Sequence, residues 1–447
     1  MSKLIGGEII GTGTYGCVHK PQMECREDEL KTSPDAVSKI MLKLDARKEL
    51  REFKYVTEAD PALTMHLGTP KLCEVKDNDQ NKRAIDECNK SGVTRTTFYP
   101  DKLLDYALLV MKNGGQDITV FAHVVSGWTV NPENLNKIEL FWLEVSRLFY
   151  GLKVFKDAGI IHRDLNQNNI VYNINTNRLN FIDFGFMTRK KDMYNAVMNN
   201  RFDNASGWSR PWETSYLNAN DYTKIANEND RYNYEPLPVK MRPLEIYDYF
   251  FESIMPINAT KYQLVDINKV MSATYYKMKG AHLLSDGETF FKKSIDTTDS
   301  YGVGIALLYA LTRSGKFLDP ILYNKLNDLF TNMINPSVYD RYDVNQLKDE
   351  YNKIITESGL LAKHNKQYDE NFLLVNNDEL LPAPKADELL QTPIVPPPAP
   401  ESVVPGGRFR PRSRKSSKMS KTTHRGKSSK NVRSRKANKA KQLNRKH

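Results

Sequence analysis

Four stretches of the chain carry residue types whose chemistry converges on phosphate. His162-Arg163-Asp164-Leu165-Asn166-Gln167-Asn168-Asn169 places a carboxylate five residues before a carboxamide. Asp164 could orient a substrate hydroxyl and accept its proton, while Asn169 offers a hard oxygen to magnesium. Phe181-Ile182-Asp183-Phe184-Gly185 adds a second carboxylate 19 residues after Asp164, where a hairpin would return it to the side of Asn169. Two hard oxygen donors converging in this way suit Mg2+ holding phosphates. Near the amino terminus, Ile10-Gly11-Thr12-Gly13-Thr14-Tyr15-Gly16-Cys17-Val18 reads GxGxxGxV. Glycines there let a hairpin fold its backbone N–H groups over phosphate oxygens with no Cβ in the way. The run also fits an ordinary glycine turn. His19, Lys20 and Pro21 follow it instead of a helix, so it is predicted to join two strands. Ala36-Val37-Ser38-Lys39-Ile40 sets a lysine in an apolar strand, and an inward-facing ammonium there needs an anionic partner.

These groups need elements to hold them. The first 60 residues read as strand, glycine turn, strand, loop, strand, helix. The helical stretch DARKELREFKYV offers Glu49 or Glu52 to Lys39, and Glu52, nearer the helix end at Asp60-Pro61, is the expected partner. ALLVM, ending at Met111, is a short buried strand. Residues 136–159 carry apolar side chains at helical spacing and close on Gly159. GIIHRD, NIVYN and LNFID then alternate short apolar runs with polar loops. Residues 299–315 form a second strongly apolar helix, central to the lower part of the domain.

Taken in order, the glycine loop, the strand lysine, HRDxxxxN and DFG resemble the signature set of the eukaryotic-type protein kinases. In composition the chain is most similar to the divergent Ser/Thr protein kinases of large double-stranded DNA viruses. The resemblance implies an α+β, bilobal protein kinase fold: a small antiparallel β lobe with one helix (1–110) over a mainly helical large lobe (111–375), with ATP and Mg2+ between them. It makes Lys39, paired with Glu52, the ligand of the α- and β-phosphates. Asp164 becomes the base for the substrate hydroxyl, and Asn169 and Asp183 the holders of magnesium. Ile10, Gly11, Gly13, Tyr15 and Gly16 would cover the nucleotide and Val18 would roof the base. Met111 would be the gatekeeper, Lys112 to Gly114 would meet the adenine edge, and Asp117 the ribose. The implied activity is transfer of the γ-phosphoryl group of ATP to Ser or Thr of protein substrates. A pseudokinase or scaffold is the alternative, against which Lys39, Asp164 and Asp183 are all retained.

The chain departs from the family pattern in four places. Asn166 and Asn168 stand where a cation usually lies near the transferring phosphate, a change that could cost a few kcal/mol of transition-state stabilisation. Ser206 replaces the usual threonine, keeping a hydroxyl that favours Ser/Thr substrates. Pro211-Trp212-Glu213 replaces Ala-Pro-Glu. An insertion at about 214–298, rich in tyrosine and with a helix expected at Pro243 to Ser253, far exceeds the usual length; it could dock substrate or serve as a packed embellishment. Arg163 permits activation through a phosphorylated loop, with Thr188, Tyr194 and Ser209 as candidates.

The 447 residues are ample for a large core, and the apolar runs fall short of the roughly 20 residues that span a membrane, so no membrane partner is expected. Cysteines at 17, 25, 73 and 88 form no CxxC pair, so free thiols, no structural zinc and an intracellular protein are expected. Net charge is +11, but residues 408–447 hold 17 of the 65 basic side chains and no acid; residues 1–407 therefore balance 48 basic against 54 acidic groups, or −6. Residues 376–407 read as a proline-rich linker and 408–447 as a disordered basic tail. Such a tail could bind nucleic acid without reading its sequence, act as an import signal, or remain solvated with no partner.

Overall fold

The computed structural model describes residues 7–13, 15–26, 33–92, 94, 96–202, 210–211, 214, 287–335 and 337–377. These belong to one compact unit, Met1–Leu381; a second unit, Pro382–His447, lies outside the described residues. So do most of the 214–298 insertion, including the helix expected at 243–253, nearly all of the 376–407 linker, and Ser206, Ser209 and Trp212-Glu213. The described part is mixed α+β, a small antiparallel sheet followed by helices. None of its helices is long and apolar enough to cross a membrane.

Strands β1 (Glu8–Gly13), β2 (Gly16–Lys20), β3 (Ala36–Leu42), β4 (Lys71–Glu74) and β5 (Tyr106–Lys112) form the sheet in the order β1-β2-β3-β5-β4, every neighbouring pair antiparallel. Both faces of its centre are covered, so β3 and β5 are apolar almost throughout and show no in–out alternation of polarity. Helix α1 (Lys43–Ala59) follows β3 directly and buries Ala46, Glu49, Phe53 and Val56, one stripe at spacings of three and four. On that side Met41, Ala46, Ala107 and Leu109 pack together. Helix α2 (Asp79–Lys90), capped by the Asn78 side chain on the Asn81 amide, covers the opposite face with Ala84, Ile85 and Cys88 against Ile40, Leu108 and Val110. Because strand side chains alternate, Lys39 faces α1 while its neighbour Ile40 faces α2.

The helical part contains β6 (Gln116–Asp117), α3 (Ile118–Ser126), α4 (Pro132–Glu144), α5 (Ser146–Asp157), β7 (Ile160–Ile161), β8 (Ile170–Asn173), β9 (Arg178–Phe181), β10 (Thr188–Arg189) and α6 (Lys190–Met198). After the undescribed segment come α7 (Gly287–Ser314), α8 (Pro320–Met333) and α9 (Val344–Glu357). The single helix expected over 136–159 is broken at Val145 into α4 and α5. Helix α7 begins twelve residues before Asp299, so the end of the expected insertion is the first three turns of this central helix. Its segment Thr297–Leu311 is buried on all sides, as expected of a helix running through a core. That core stacks Trp142 on Phe330 and closes around Phe149, Leu307 and Tyr351.

The expectation of free thiols is wrong. Cys17 bridges to Cys88 and Cys25 to Cys73, so all four cysteines are paired and buried. The partners lie 71 and 48 residues apart and meet only because α2 and β4 fold back onto β2 and the loop behind it. A loop of that length implies a stabilisation of about 4 kcal/mol for the Cys17–Cys88 bridge. Alkylation of the native protein should label no cysteine before reduction and four after it. Cys88→Ala should lower the urea unfolding midpoint accordingly; an unchanged midpoint under non-reducing conditions would count against the bridge.

Candidate active site

Lys39 lies between two carboxylates. Its Nζ is 2.9 Å from Glu49 Oε2 and 3.2 Å from Asp183 Oδ2, with the lysine only 7 % exposed. Burial alone would lower the pKa of the ammonium, but Asp183 and Glu49 outweigh it and hold Lys39 above its ordinary value. Burial likewise opposes ionisation of Asp183, yet the adjacent ammonium keeps this carboxyl below the usual range. The expected partner Glu52 is displaced. Glu49 belongs to the buried stripe of α1, whereas Glu52, three residues on, sits to one side of it and pairs with Lys48 at 3.8 Å.

The other two groups come from a hairpin. Strands β8 and β9 pair antiparallel with Ile170 opposite Phe181, which returns the chain beside Asn169; the Ile182 amide donates to the Asn169 carbonyl at 3.0 Å. Asn169 Nδ2 donates to the Asp164 carbonyl (2.7 Å) and to Asp164 Oδ2 (3.1 Å). Burial raises the pKa of the Asp164 carboxyl, opposed by His162. Helix α7 anchors this loop from below: Asp299 accepts from the amides of His162 (2.7 Å) and Arg163 (2.9 Å). The close approach requires Gly302, since a Cβ there would lie 2.0 Å from the Leu165 carbonyl oxygen. Arg163 (φ 72°) and Asp183 (φ 60°) both adopt the left-handed conformation, a cost of about 1–3 kcal/mol each that these bonds offset.

The glycine run joins β1 and β2 as expected. Ile10 is the extra residue where the register shifts, and Gly11, Val18, Lys39 and Leu109 form one row across four strands. The β5 side chain beside Lys39 is therefore Leu109. Met111 pairs with Val37 two positions further along, on the same side of the sheet as Lys39. Gly114 lies in the turn from β5 to β6. Asp117 is engaged as the cap of α3, accepting from the Val120 amide at 2.8 Å. Tyr15, at the tip of the glycine run, stands 6.2 Å from the Phe186 ring. Phe184 is buried edge-on against Phe53 of α1 at 4.8 Å. Of the candidate phosphorylation sites, Thr188 lies in β10 paired to Ile161, and the Tyr194 ring on α6 packs beneath Lys292.

Lys39, Asp183, Asp164 and Asn169 are thus brought together, with Glu49 in place of Glu52. Among the described residues no group of three or more His, Cys, Asp or Glu side chains is placed to hold a metal. No protein-family model matches the chain, and no curated protein matches it. Glu49 was legible as the acid on the apolar stripe of α1; Asp299, 137 residues beyond His162, was legible only as the start of the second apolar helix.

Two consequences are measurable. Gly16 packs against β3 so tightly that a Cβ would lie 1.8 Å from the Ile40 carbonyl oxygen, whereas a Cβ at Gly11 would meet nothing nearer than 3.8 Å. Gly16→Ala should cost about 1–3 kcal/mol or more in chemical denaturation, and Gly11→Ala far less. Burial pushes the Glu52 carboxyl up to about 7, and its Oε2 has no hydrogen-bond partner. A carboxyl raised from 4.5 binds more protons folded than unfolded, so its contribution to stability falls as pH rises through that window. Glu52→Gln should therefore raise the Tm at pH 8 and give no such gain at pH 4.

Proposed function

We propose that the protein is an ATP-dependent Ser/Thr protein kinase with the bilobal kinase fold, the sheet and α1 forming the small lobe and the helices from α3 onward the large one. The observation that carries this reading is the Lys39 ammonium clasped by Glu49 and Asp183 while a hairpin sets Asn169 and Asp164 alongside. On this reading Lys39, held in place by Glu49, binds the α- and β-phosphates. Gly11 and Gly13 leave space above the row formed by Val18, Lys39 and Leu109, where the nucleotide would lie.

The donor set suits magnesium. Asp183 presents a carboxylate and Asn169, whose Nδ2 is committed to Asp164, keeps its Oδ1 as an acceptor; Mg2+ is commonly held by one or two such groups together with phosphates and water. When bound, the ion supplies positive charge to the phosphate oxygens. Asp164 then orients the Ser or Thr hydroxyl. Its oxygen bonds to the γ-phosphorus, the bond to the β-phosphate oxygen breaks to leave ADP, and the hydroxyl proton passes to Asp164.

Incubating the protein with γ-labelled ATP, Mg2+ and basic test proteins should place label on phosphoserine or phosphothreonine. Asp164→Asn should reduce the rate by 10²-fold or more, and Lys39→Met should do the same. Equal labelling by the Asp164→Asn protein would overturn the enzymatic reading, and label on tyrosine alone would overturn the Ser/Thr assignment.

A further inference from the structure

Asp164 has a charged neighbour that its own loop does not supply. Arg210, 46 residues further along the chain, brings its Nη2 to 3.8 Å from Asp164 Oδ1. The guanidinium is held from two other sides: its Nε donates to the Arg163 carbonyl at 3.2 Å, and it lies 5.8 Å from the Phe186 ring centroid. Its side chain is 12 % exposed. Within the loop, Asn166 is neutral and fully engaged with backbone, donating to the Asp164 carbonyl at 3.0 Å and accepting from the Asn168 amide at 2.8 Å. It can contribute no charge to the site.

We propose that Arg210 is a positioning residue for phosphoryl transfer: it fixes the Asp164 carboxylate and brings to the transfer site the positive charge that Asn166 lacks. The inference rests on the protein kinase reading. Asp164 Oδ2 is held by Asn169 Nδ2 at 3.1 Å, so the two oxygens are oriented by different partners, a carboxamide and a guanidinium. At 3.8 Å the ion pair is longer than a direct hydrogen bond, which leaves Oδ1 accessible to a substrate hydroxyl. Phe186 links the arrangement to the nucleotide side, because the same ring faces Tyr15 of the glycine run and Lys48 of α1.

Replacing a residue that only supports the fold lowers the unfolding temperature or raises KM for ATP, whereas replacing one that orients Asp164 lowers kcat and leaves KM for ATP in place. That split, with recovery by another cation at the same position, separates positioning from mere structural support.

The test compares wild type, Arg210→Met, Arg210→Lys and Asp164→Asn in the labelled-ATP assay, with thermal unfolding to establish that each variant is folded. Arg210→Met should lower kcat on the order of 10²-fold with little change in KM for ATP. Arg210→Lys should recover much of the rate. Arg210→Met at or above the wild-type rate overturns the proposal, as does a slow variant whose loss lies in KM for ATP with kcat unchanged, or one that Arg210→Lys does not recover. In each case wild-type transfer that depends on Asp164 leaves the kinase reading standing. No Asp164-dependent transfer by the wild type would overturn that reading and this inference with it.

Discussion

An ammonium taken out of water must meet negative charge or give up its proton, and this constraint organises the protein around Lys39. Strand β3 carries Lys39 into the space beneath α1, where two acids meet it: Glu49 from the helix that follows directly, and Asp183 from 144 residues further on. Removing one partner from such a buried arrangement typically costs about 3–5 kcal/mol, because a charge is left without compensation. The position of α1 on the sheet and the position of the β8–β9 hairpin beneath it are therefore coupled through one nitrogen.

Packing reinforces the same coupling. Phe184, next to Asp183, lies edge-on against Phe53, four residues beyond Glu49 on the buried stripe of α1. His162 is 5.1 Å from the Phe184 ring and meets the Ile182 carbonyl at 3.0 Å, so the loop bearing Asp164 and the segment bearing Asp183 share contacts. Helix α7 holds that loop through Asp299, with Gly302 permitting close approach. Strained backbone at Arg163 and Asp183 persists where surrounding bonds over-determine it, Arg163 through Asp299 and Asp183 through Lys39.

The sheet is reinforced separately. Two disulfides join β2 to α2 and the loop after β2 to β4, on the face of the sheet turned away from Lys39. The Cys17–Cys88 bridge starts one residue after Gly16, so it ties the strand that carries the glycine run to a covering helix. The polar chemistry and the covalent reinforcement thus occupy opposite faces, as side-chain alternation along a strand allows.

Local pattern was enough to read the strand–turn–strand entry, the apolar strands around Lys39 and Leu109, and the hairpin that returns Asp183 to Asn169. Those features depend on neighbours a few residues apart, where period and turn chemistry act directly. The choice of Glu49 over Glu52 was decided by which side of α1 the sheet covers: Glu49 lies in step with Ala46, Phe53 and Val56, a stripe written in the sequence whose facing toward Lys39 only the packed sheet fixes. The disulfides and the Arg210–Asp164 pair unite residues 46 to 71 positions apart, and only the folded chain brings them within bonding or Coulombic range. Residue types and their local spacing therefore determined what chemistry is available; three-dimensional packing decided which partner each charge and each thiol meets, because burial and proximity are properties of the assembled core.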